Sequence, residues 1–133
     1  VVVMVLQDYC DYETCVALKE SGFNEYCSGY MDSLCKTFIE TRYLKRWNST
    51  KRSDFEVFSC PSLYEAQKWL REERHIEVVV LSIRMTGAPY YFQVYTEDYV
   101  TTDDNNYNSY EEALSEGVKE AVKILKEYET ILR

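Results

Sequence analysis

The sequence predicts an α+β fold in which helices pack on an antiparallel sheet, within a single domain that spans residues 1–133. Two segments with helical periodicity each follow a Ser-x-x-Glu capping pattern, and two short segments rich in Val, Ile and Tyr lie between them. Hydrophobic residues make up 46% of the chain and aromatic residues 15%, which is enough for a buried core. Because short apolar segments joined by turn residues favour hairpins, the sheet is expected to be antiparallel.

The first elements are expected to be a strand and a short helix. Residues 1–6 are apolar and mostly β-branched, which favours a strand. Asp11 is a suitable N-cap for a helix over residues 12–21, and Gly22 is a suitable residue to end it. Phe23 can then make the hydrophobic contact that often follows such a cap.

Residues 24–59 carry the weakest structural signals in the chain. Residues 27–31 favour a short strand, whereas residues 37–47 have mixed periodicity that fits either a helix or a strand. A polar run over residues 48–53 indicates a loop. Residues 55–58 are expected to form a strand whose side chains alternate between two faces.

A capped helix is predicted after Pro61. Ser62 and Glu65 form a capping box, and the helix is expected to run to about residue 73. Residues 76–84 are nearly apolar throughout and too short for another helix, which predicts a central strand covered on both faces. The apolar stripe of the helix predicts four buried side chains, those of Leu63, Ala66, Trp69 and Leu70.

A hairpin is predicted next. Turn residues occupy positions 85–89, and residues 90–95 are expected to pair with the preceding strand. Residues 97–108 are polar, acidic and rich in Asn, which predicts a mobile loop. Alternation along the second strand places three side chains on each face, with Tyr90, Phe92 and Val94 on one and Tyr91, Gln93 and Tyr95 on the other.

The last predicted helix has the clearest pattern in the chain. Ser109 and Glu112 form a second capping box. Because Gly costs about 1 kcal/mol against Ala within a helix, Gly117 in the apolar stripe indicates that another backbone approaches closely there. The second half is therefore expected to be α-β-β-α over residues 62–130. The stripe itself has 3.6-residue spacing and comprises Tyr110, Leu114, Gly117, Val118, Ala121, Leu125 and Leu132.

Charge is distributed unevenly along this acidic chain. The formal net charge is −8, from 23 acidic and 15 basic residues. Such a charge repels phosphate backbones and anionic lipids, so nucleic acid is disfavoured as a partner and no membrane association is expected. Residues 36–52, however, contain six basic residues and one acidic residue. That segment carries +5, and the rest of the chain carries −13.

The cysteines indicate a reducing compartment. The chain has Cys10, Cys15, Cys27, Cys35 and Cys60, an odd number with no C-x-x-C pair and no zinc-motif spacing. We therefore expect reduced thiols, no metal and no cofactor, although the fold could bring the first four together around zinc. Residues 1–6 are too short for a signal peptide or a membrane span. These features predict a cytoplasmic protein.

Motifs of the common enzyme classes are missing from the sequence. It contains no Gly-rich phosphate loop, no G-x-S-x-G elbow and no H-E-x-x-H pair. A Ser-His-Asp or Cys-His arrangement would have to use His75, the only histidine, and the sequence marks neither its nucleophile nor its orienting group. No catalytic residue is therefore predicted, and a structural role for His75 is favoured.

A resemblance to other proteins is carried by four segments, residues 13–23, 61–72, 75–78 and 109–125. Together these segments resemble a group of small proteins from gut bacteria of the Bacteroidales group and from their phages and mobile elements. The shared segments are helix caps and helix faces, and no activity is established for that group. The resemblance therefore implies no catalytic residue. It implies a bacterial or phage cytoplasm and an accessory role, such as modulation of a host protein.

The basic and aromatic residues 42–52 are the local feature most typical of a contact surface. Cations beside Tyr and Trp suit three roles: phosphate contacts with base stacking, contact with an acidic protein, or internal pairing with the carboxylates of the chain. The predicted binding residues are Arg42, Tyr43, Lys45, Arg46, Trp47, Lys51 and Arg52, together with Tyr91 and Tyr95 of the predicted hairpin.

The leading hypothesis is a non-enzymatic module that binds a protein partner. The first alternative is a small nucleic-acid-binding protein that uses residues 42–52. The second is a small-molecule-binding domain or an enzyme whose site carries no motif, with Tyr91 and Tyr95 lining a pocket. A deep pocket with converging polar groups would favour that second alternative.

Overall fold

A computed structural model of the chain describes residues 8–52, 54–83 and 87–131. It confirms the predicted α+β class, because the described residues form three helices and two three-stranded antiparallel sheets. The chain groups into two compact units, one of Tyr9–Ser62 and one of Val1–Asp8 together with Leu63–Arg133, here called the amino-terminal and carboxy-terminal units. The strand predicted at residues 1–6 and part of the turn predicted at 85–89 lie outside the described residues. The single-domain assignment stays a prediction.

Helix α1 of the amino-terminal unit spans Tyr12–Glu20 and has the predicted ends. The side chain of Asp11 accepts a hydrogen bond from the Thr14 backbone N–H at 2.9 Å. At the other end, Gly22 has a φ of 95°, and the Phe23 N–H donates to the Leu18 carbonyl at 2.9 Å. This is the Schellman arrangement, which requires a left-handed residue after the helix, and glycine adopts that conformation without strain.

The sheet of the amino-terminal unit consists of β1 (Cys27–Asp32), β2 (Ile39–Lys45) and β3 (Val57–Ser59), in the order β2-β1-β3. The ambiguous residues 37–47 thus contain a strand. A 3₁₀ turn follows β2 at Trp47–Ser49, where only a loop was expected.

Strand β3 differs from its prediction in position and in burial. It begins two residues later than expected, and all three of its residues are buried. Both faces of the strand are therefore covered. The physical reason is that β3 contacts both α1 and the 3₁₀ turn, in addition to pairing with β1.

Helix α2 begins the carboxy-terminal unit and spans Leu63–Arg74, and the four side chains predicted to be buried are buried. Strands β4 (Glu77–Ser82) and β5 (Tyr90–Tyr95) form the predicted antiparallel hairpin. Within the described residues, however, β4 pairs on one side only and β5 is the middle strand. The third described strand of this sheet pairs with β5, and the central position predicted for residues 76–84 stays a prediction.

That third strand, β6 (Val100–Thr102), lies within the segment predicted as a mobile loop. It pairs with β5 from Gln93 to Tyr95, which makes this half α-β-β-β-α. Farther along, the backbone N–H and C=O of Tyr107 both bond to Tyr90, at 2.7 and 3.1 Å. A three-residue strand is too short to show alternation in the sequence, so only its pairing reveals it.

Helix α3 spans Tyr110–Ile131 and begins with the predicted cap, in which Ser109 Oγ accepts from the Glu112 N–H at 3.1 Å. The described stripe residues from Leu114 to Leu125 are buried as predicted, whereas Tyr110 is exposed because it lies in the first turn at the rim of the core. A Cβ on Gly117 would lie 2.5 Å from Val78 Cγ1 and 3.2 Å from Phe92 Cγ. The close approach at Gly117 is therefore made by side chains of β4 and β5 rather than by a backbone. No helix within the described ranges has the length and apolar character needed to cross a bilayer.

Candidate functional site

The candidate site is a bulge in strand β2. Gly29 pairs with Glu40 and Cys27 pairs with Lys45, so two residue steps on β1 face five on β2, which gives β2 three extra residues. Thr41 closes the bulge, because its Oγ1 lies 2.8 Å from the carbonyl oxygens of both Ser28 and Tyr43. A bulge bends its strand and turns side chains away from the regular ladder.

The bulge presents two adjacent apolar side chains to solvent. Tyr43 is 76% exposed and Leu44 is 68% exposed, although both belong to a strand. Arg42 and Lys45 flank them and are also exposed. We call residues 42–46 the bulge surface. Its composition, an apolar pair within a cationic frame, is typical of a binding surface rather than of the solvated face of a strand.

The cations of this segment contact rings rather than carboxylates. The Arg46 guanidinium lies 4.7 Å from the centroid of Tyr26, and Arg52 lies 5.2 Å from that of Phe55. Such contacts stabilise by about 0.5–1 kcal/mol at exposed sites and leave the charge in place. Within the described part of the chain, no ion pair involves Arg42, Lys45, Arg46, Lys51 or Arg52.

Trp47 is held against the sheet. Its ring stacks on Tyr30 with centroids 4.5 Å apart, and its Nε1–H donates to the Cys27 carbonyl at 2.8 Å. The neighbouring Asn48 bonds through its side chain to the Phe23 carbonyl and to the Ser59 N–H. Trp47 therefore fixes the 3₁₀ turn to β1, and its indole is not presented to a ligand as Tyr43 is.

Tyr91 and Tyr95 belong to the carboxy-terminal unit. They alternate with Phe92 and Val94, which are buried, so they lie on the other face of β5, as predicted. Tyr91 is half-buried and Tyr95 is exposed, and the Tyr95 hydroxyl donates to Gln93 Oε1 at 2.7 Å. They remain predicted binding residues of this sheet face.

Three thiols cluster in the amino-terminal unit. The Sγ atoms of Cys15 and Cys60 lie 3.7 and 3.3 Å from the Cys10 carbonyl oxygen, and both thiols are buried. The contact with Cys60, together with burial, raises the pKa of Cys15, so its thiol stays protonated and unreactive. Among the described residues, no group of His, Cys, Asp and Glu has the arrangement of a metal site. Sequence reasoning grouped Cys10 and Cys15 with Cys27 and Cys35 and missed Cys60, because only the fold brings Cys60 near the first two.

His75 is exposed and follows the last residue of α2 with a φ of 57°. The Ile76 N–H beside it donates to the Leu70 carbonyl at 3.0 Å, so His75 forms part of the helix end. Within the described ranges, His75 forms no hydrogen bond with a hydroxyl, thiol or carboxylate, as a catalytic triad would require. It lies at the edge of a cleft in the carboxy-terminal unit.

Comparison with known proteins gives no relative: no family model, no curated protein and no solved structure matches this chain. A proposal about function must therefore be argued from the surfaces of the molecule itself.

Proposed function

We propose that this chain is a non-enzymatic interaction module that binds an acidic protein partner through the bulge surface. The observation that carries this proposal is the exposure of Tyr43 and Leu44 at the bulge, inside a frame of cations that lack carboxylate partners among the described residues. Two adjacent exposed apolar side chains lose contact with water only when another molecule covers them, which favours association.

The anatomy of the bulge surface suits a protein partner. Interfaces typically have a small apolar or aromatic centre with a polar rim, and Tyr and Arg are enriched among their energetic hot spots. Here Tyr43 and Leu44 form the centre, and Arg42, Lys45 and Arg46 form the rim. The complementary partner surface is an apolar pocket bordered by Asp and Glu side chains.

The bulge also determines the mode of contact. An unbulged edge strand can pair with a strand from another protein through its backbone groups. In β2 the bulge interrupts that row, because the residues from Thr41 to Leu44 leave the regular register. The partner is therefore expected to contact side chains rather than to extend the sheet.

Nucleic acid suits this surface less well. Outside residues 36–52 the chain carries −13, which repels a phosphate polymer. Base stacking needs presented aromatic rings, and Trp47, one of the two aromatic residues within residues 42–52, already stacks on Tyr30. Titration with DNA and RNA, described below, distinguishes nucleic-acid binding from protein binding.

The resemblance to small proteins of Bacteroidales and their phages bears on the biological setting. It supports an accessory module in a bacterial or phage cytoplasm whose partner is a host protein. Such a role requires binding to a partner but no catalysis. The bulge surface provides apolar contact and positive charge for binding, and it contains no predicted nucleophile.

Affinity capture with variants tests the proposal. Tagged wild-type chain is compared with Tyr43→Ser/Leu44→Ser and with Arg42→Glu/Arg46→Glu, and captured proteins are quantified by mass spectrometry. The matched controls are Leu34→Ser, which is 68% exposed in the same unit, and Arg71→Glu on the exposed side of α2. One partner should lose about tenfold or more of its recovery with both bulge variants and keep it with both controls.

Short DNA and RNA duplexes and single strands are titrated in parallel. Binding that falls steeply with salt and weakens in Arg42→Glu/Arg46→Glu would favour the nucleic-acid alternative. A captured partner that is recovered equally with all variants would contradict a role for the bulge surface. Circular dichroism of each variant verifies that the fold is intact.

A further inference from the structure

A cleft of about 570 Å³ opens in the carboxy-terminal unit. It lies where α2 ends, beside the turn between β5 and β6 and the last turns of α3. This volume falls within the range of small-molecule sites, roughly 300–1,000 Å³. It belongs to the other compact unit from the bulge surface, so its role is argued separately from the proposed function.

The cleft has an apolar floor. Ile76 and Leu125 line it and are only 3% and 6% exposed. Tyr128 lines it as well and adds an aromatic ring. A ligand with an apolar body can therefore remove its own hydrocarbon surface from water by packing against these side chains.

The rim of the cleft is mainly negative. Glu97 and Asp98 come from the turn between β5 and β6, and Glu129 comes from α3. They face Arg74 and His75, and the Arg74 guanidinium lies 4.7 Å from the centroid of the Trp69 ring of its own helix. Three carboxylates against one guanidinium leave an excess of negative charge.

A helix end adds to this field. Helix α2 ends at Arg74, so it presents a carbonyl-bearing C-terminal turn beside the cleft. A helix C-terminus carries partial negative charge and favours cations within its last turn.

Hydrogen bonds hold the acidic turn in place. The Thr96 N–H donates to the Tyr99 carbonyl at 2.9 Å, and Thr96 Oγ1 accepts from the N–H groups of Asp98 and Tyr99 at 3.2 and 3.1 Å. The Tyr128 hydroxyl donates to Asp98 Oδ2 at 3.3 Å, which connects the turn to α3. The carboxylate of Asp98 is thus oriented before any ligand binds.

We propose that this cleft binds a small organic cation with an apolar body, a protonated primary amine carried on an aromatic or alkyl group. The body packs on Ile76 and Leu125, and the ammonium group donates hydrogen bonds to the carboxylates of Asp98 and Glu129. Hydrogen bonds between charged partners are about twice as strong as neutral ones, so the charge of the ligand determines selection. An anion of the same shape meets repulsion from the rim.

Three probes that share a phenethyl body test the ligand class: phenethylamine, phenethyl alcohol and 3-phenylpropionate. Saturation-transfer NMR and calorimetry are run on the full chain. The amine should bind with a Kd on the order of 1 mM, as expected for a ligand of this size. The alcohol and the acid should bind about tenfold more weakly or worse.

Two variants locate the site. Asp98→Asn/Glu129→Gln should weaken amine binding about tenfold, because both charge-assisted contacts are lost. Glu127→Gln removes the same charge from an exposed position of α3 that does not line the cleft, and it should change the Kd less than twofold. If the double variant loses its circular dichroism signal, Glu97→Gln at the exposed rim replaces it, with an expected loss of about threefold.

Several results would overturn the proposal. Equal binding of amine and alcohol would show that the apolar floor acts alone. Three other results would each exclude an amine site here. In the first, the acid binds more tightly than the amine. In the second, Glu127→Gln weakens amine binding as much as the cleft variants do. In the third, none of the three probes shows saturable binding. None of these results depends on whether the bulge surface binds a protein.

Discussion

Replacing Gly117 with Ala has two opposite effects on the free energy of unfolding, a gain in helix propensity and a loss from overpacking. Ala is favoured over Gly within a helix by about 1 kcal/mol, so the substitution would stabilise an unobstructed helix by that amount. The structure places the new Cβ 2.5 Å from Val78 Cγ1 and 3.2 Å from Phe92 Cγ. The favourable separation of two carbon atoms is about 3.5–4 Å. The distance from the new Cβ to Val78 Cγ1 is shorter than that by roughly 1 Å, so this contact is repulsive.

The magnitude follows from how little the neighbours can move. Val78 is buried in β4, and its β-branched side chain has few accessible rotamers. Overpacking in such a core costs about 1–3 kcal/mol, and the short distance places Gly117→Ala in the upper half of that range. After subtraction of the propensity gain, we expect the free energy of unfolding to fall by about 1–2 kcal/mol.

A double-mutant cycle with Val78→Ala isolates the contact. Urea unfolding followed by circular dichroism gives the free energy of unfolding for wild type, both single variants and the double variant. In the Val78→Ala background the contact with Val78 Cγ1 is gone and only the 3.2 Å contact with Phe92 Cγ remains, so Gly117→Ala should stabilise by up to about 1 kcal/mol. Ser115→Ala on the same helix is the control and should stabilise by roughly 0.5 kcal/mol. If Gly117→Ala stabilises the wild type by the full propensity gain, α3 does not approach β4 as closely as described.

Three further outcomes are expected. Trp69→Ala should lower the free energy of unfolding by about 3–5 kcal/mol in urea, because the indole is buried; an unchanged midpoint would contradict that burial. A thiol reagent should modify Cys35 in the native chain and the buried thiols only after denaturation, with the protonated Cys15 among the slow ones. Burial and the hydrogen bond to Asp103 raise the pKa of Tyr107, so above about pH 10 the unfolded chain binds fewer protons and stability falls with pH. Tyr107→Phe should make that fall shallower in urea titrations, and an unchanged slope would count against the shift.

Sequence patterns were sufficient where local signals and tertiary packing agree. Helices α2 and α3 each follow a Ser-x-x-Glu pattern and carry apolar residues at helical spacing, and both form close to their predicted bounds. Strand β2 could not be distinguished from a helix because its bulge removes the residues around Arg42 from the two-residue period. Strand β6 has only three residues, so it depends on its pairing with β5.

The two candidate sites also differ in how far the sequence predicts them. The cluster of basic residues at 42–52 is visible in the sequence, but the stacking of the Trp47 ring on Tyr30 depends on a contact between residues that are distant along the chain. The cleft was not predicted, because its lining comes from three separate segments around Ile76, Glu97 and Tyr128. Of the residues that line the cleft, only His75 was singled out in the sequence, and a single histidine between a helix and a strand does not indicate a ligand site.

Site-specific photo-crosslinking tests the role of the bulge surface most directly. A benzophenone amino acid is placed at position 43 and, as the control, at the equally well exposed position 34 of the same unit. On irradiation in cells, the variant with the benzophenone at position 43 should give one discrete protein adduct that Arg42→Glu/Arg46→Glu diminishes, and the control should not give it. Adducts that are the same at both positions, or an adduct with nucleic acid, would contradict the proposal that the bulge binds a protein partner.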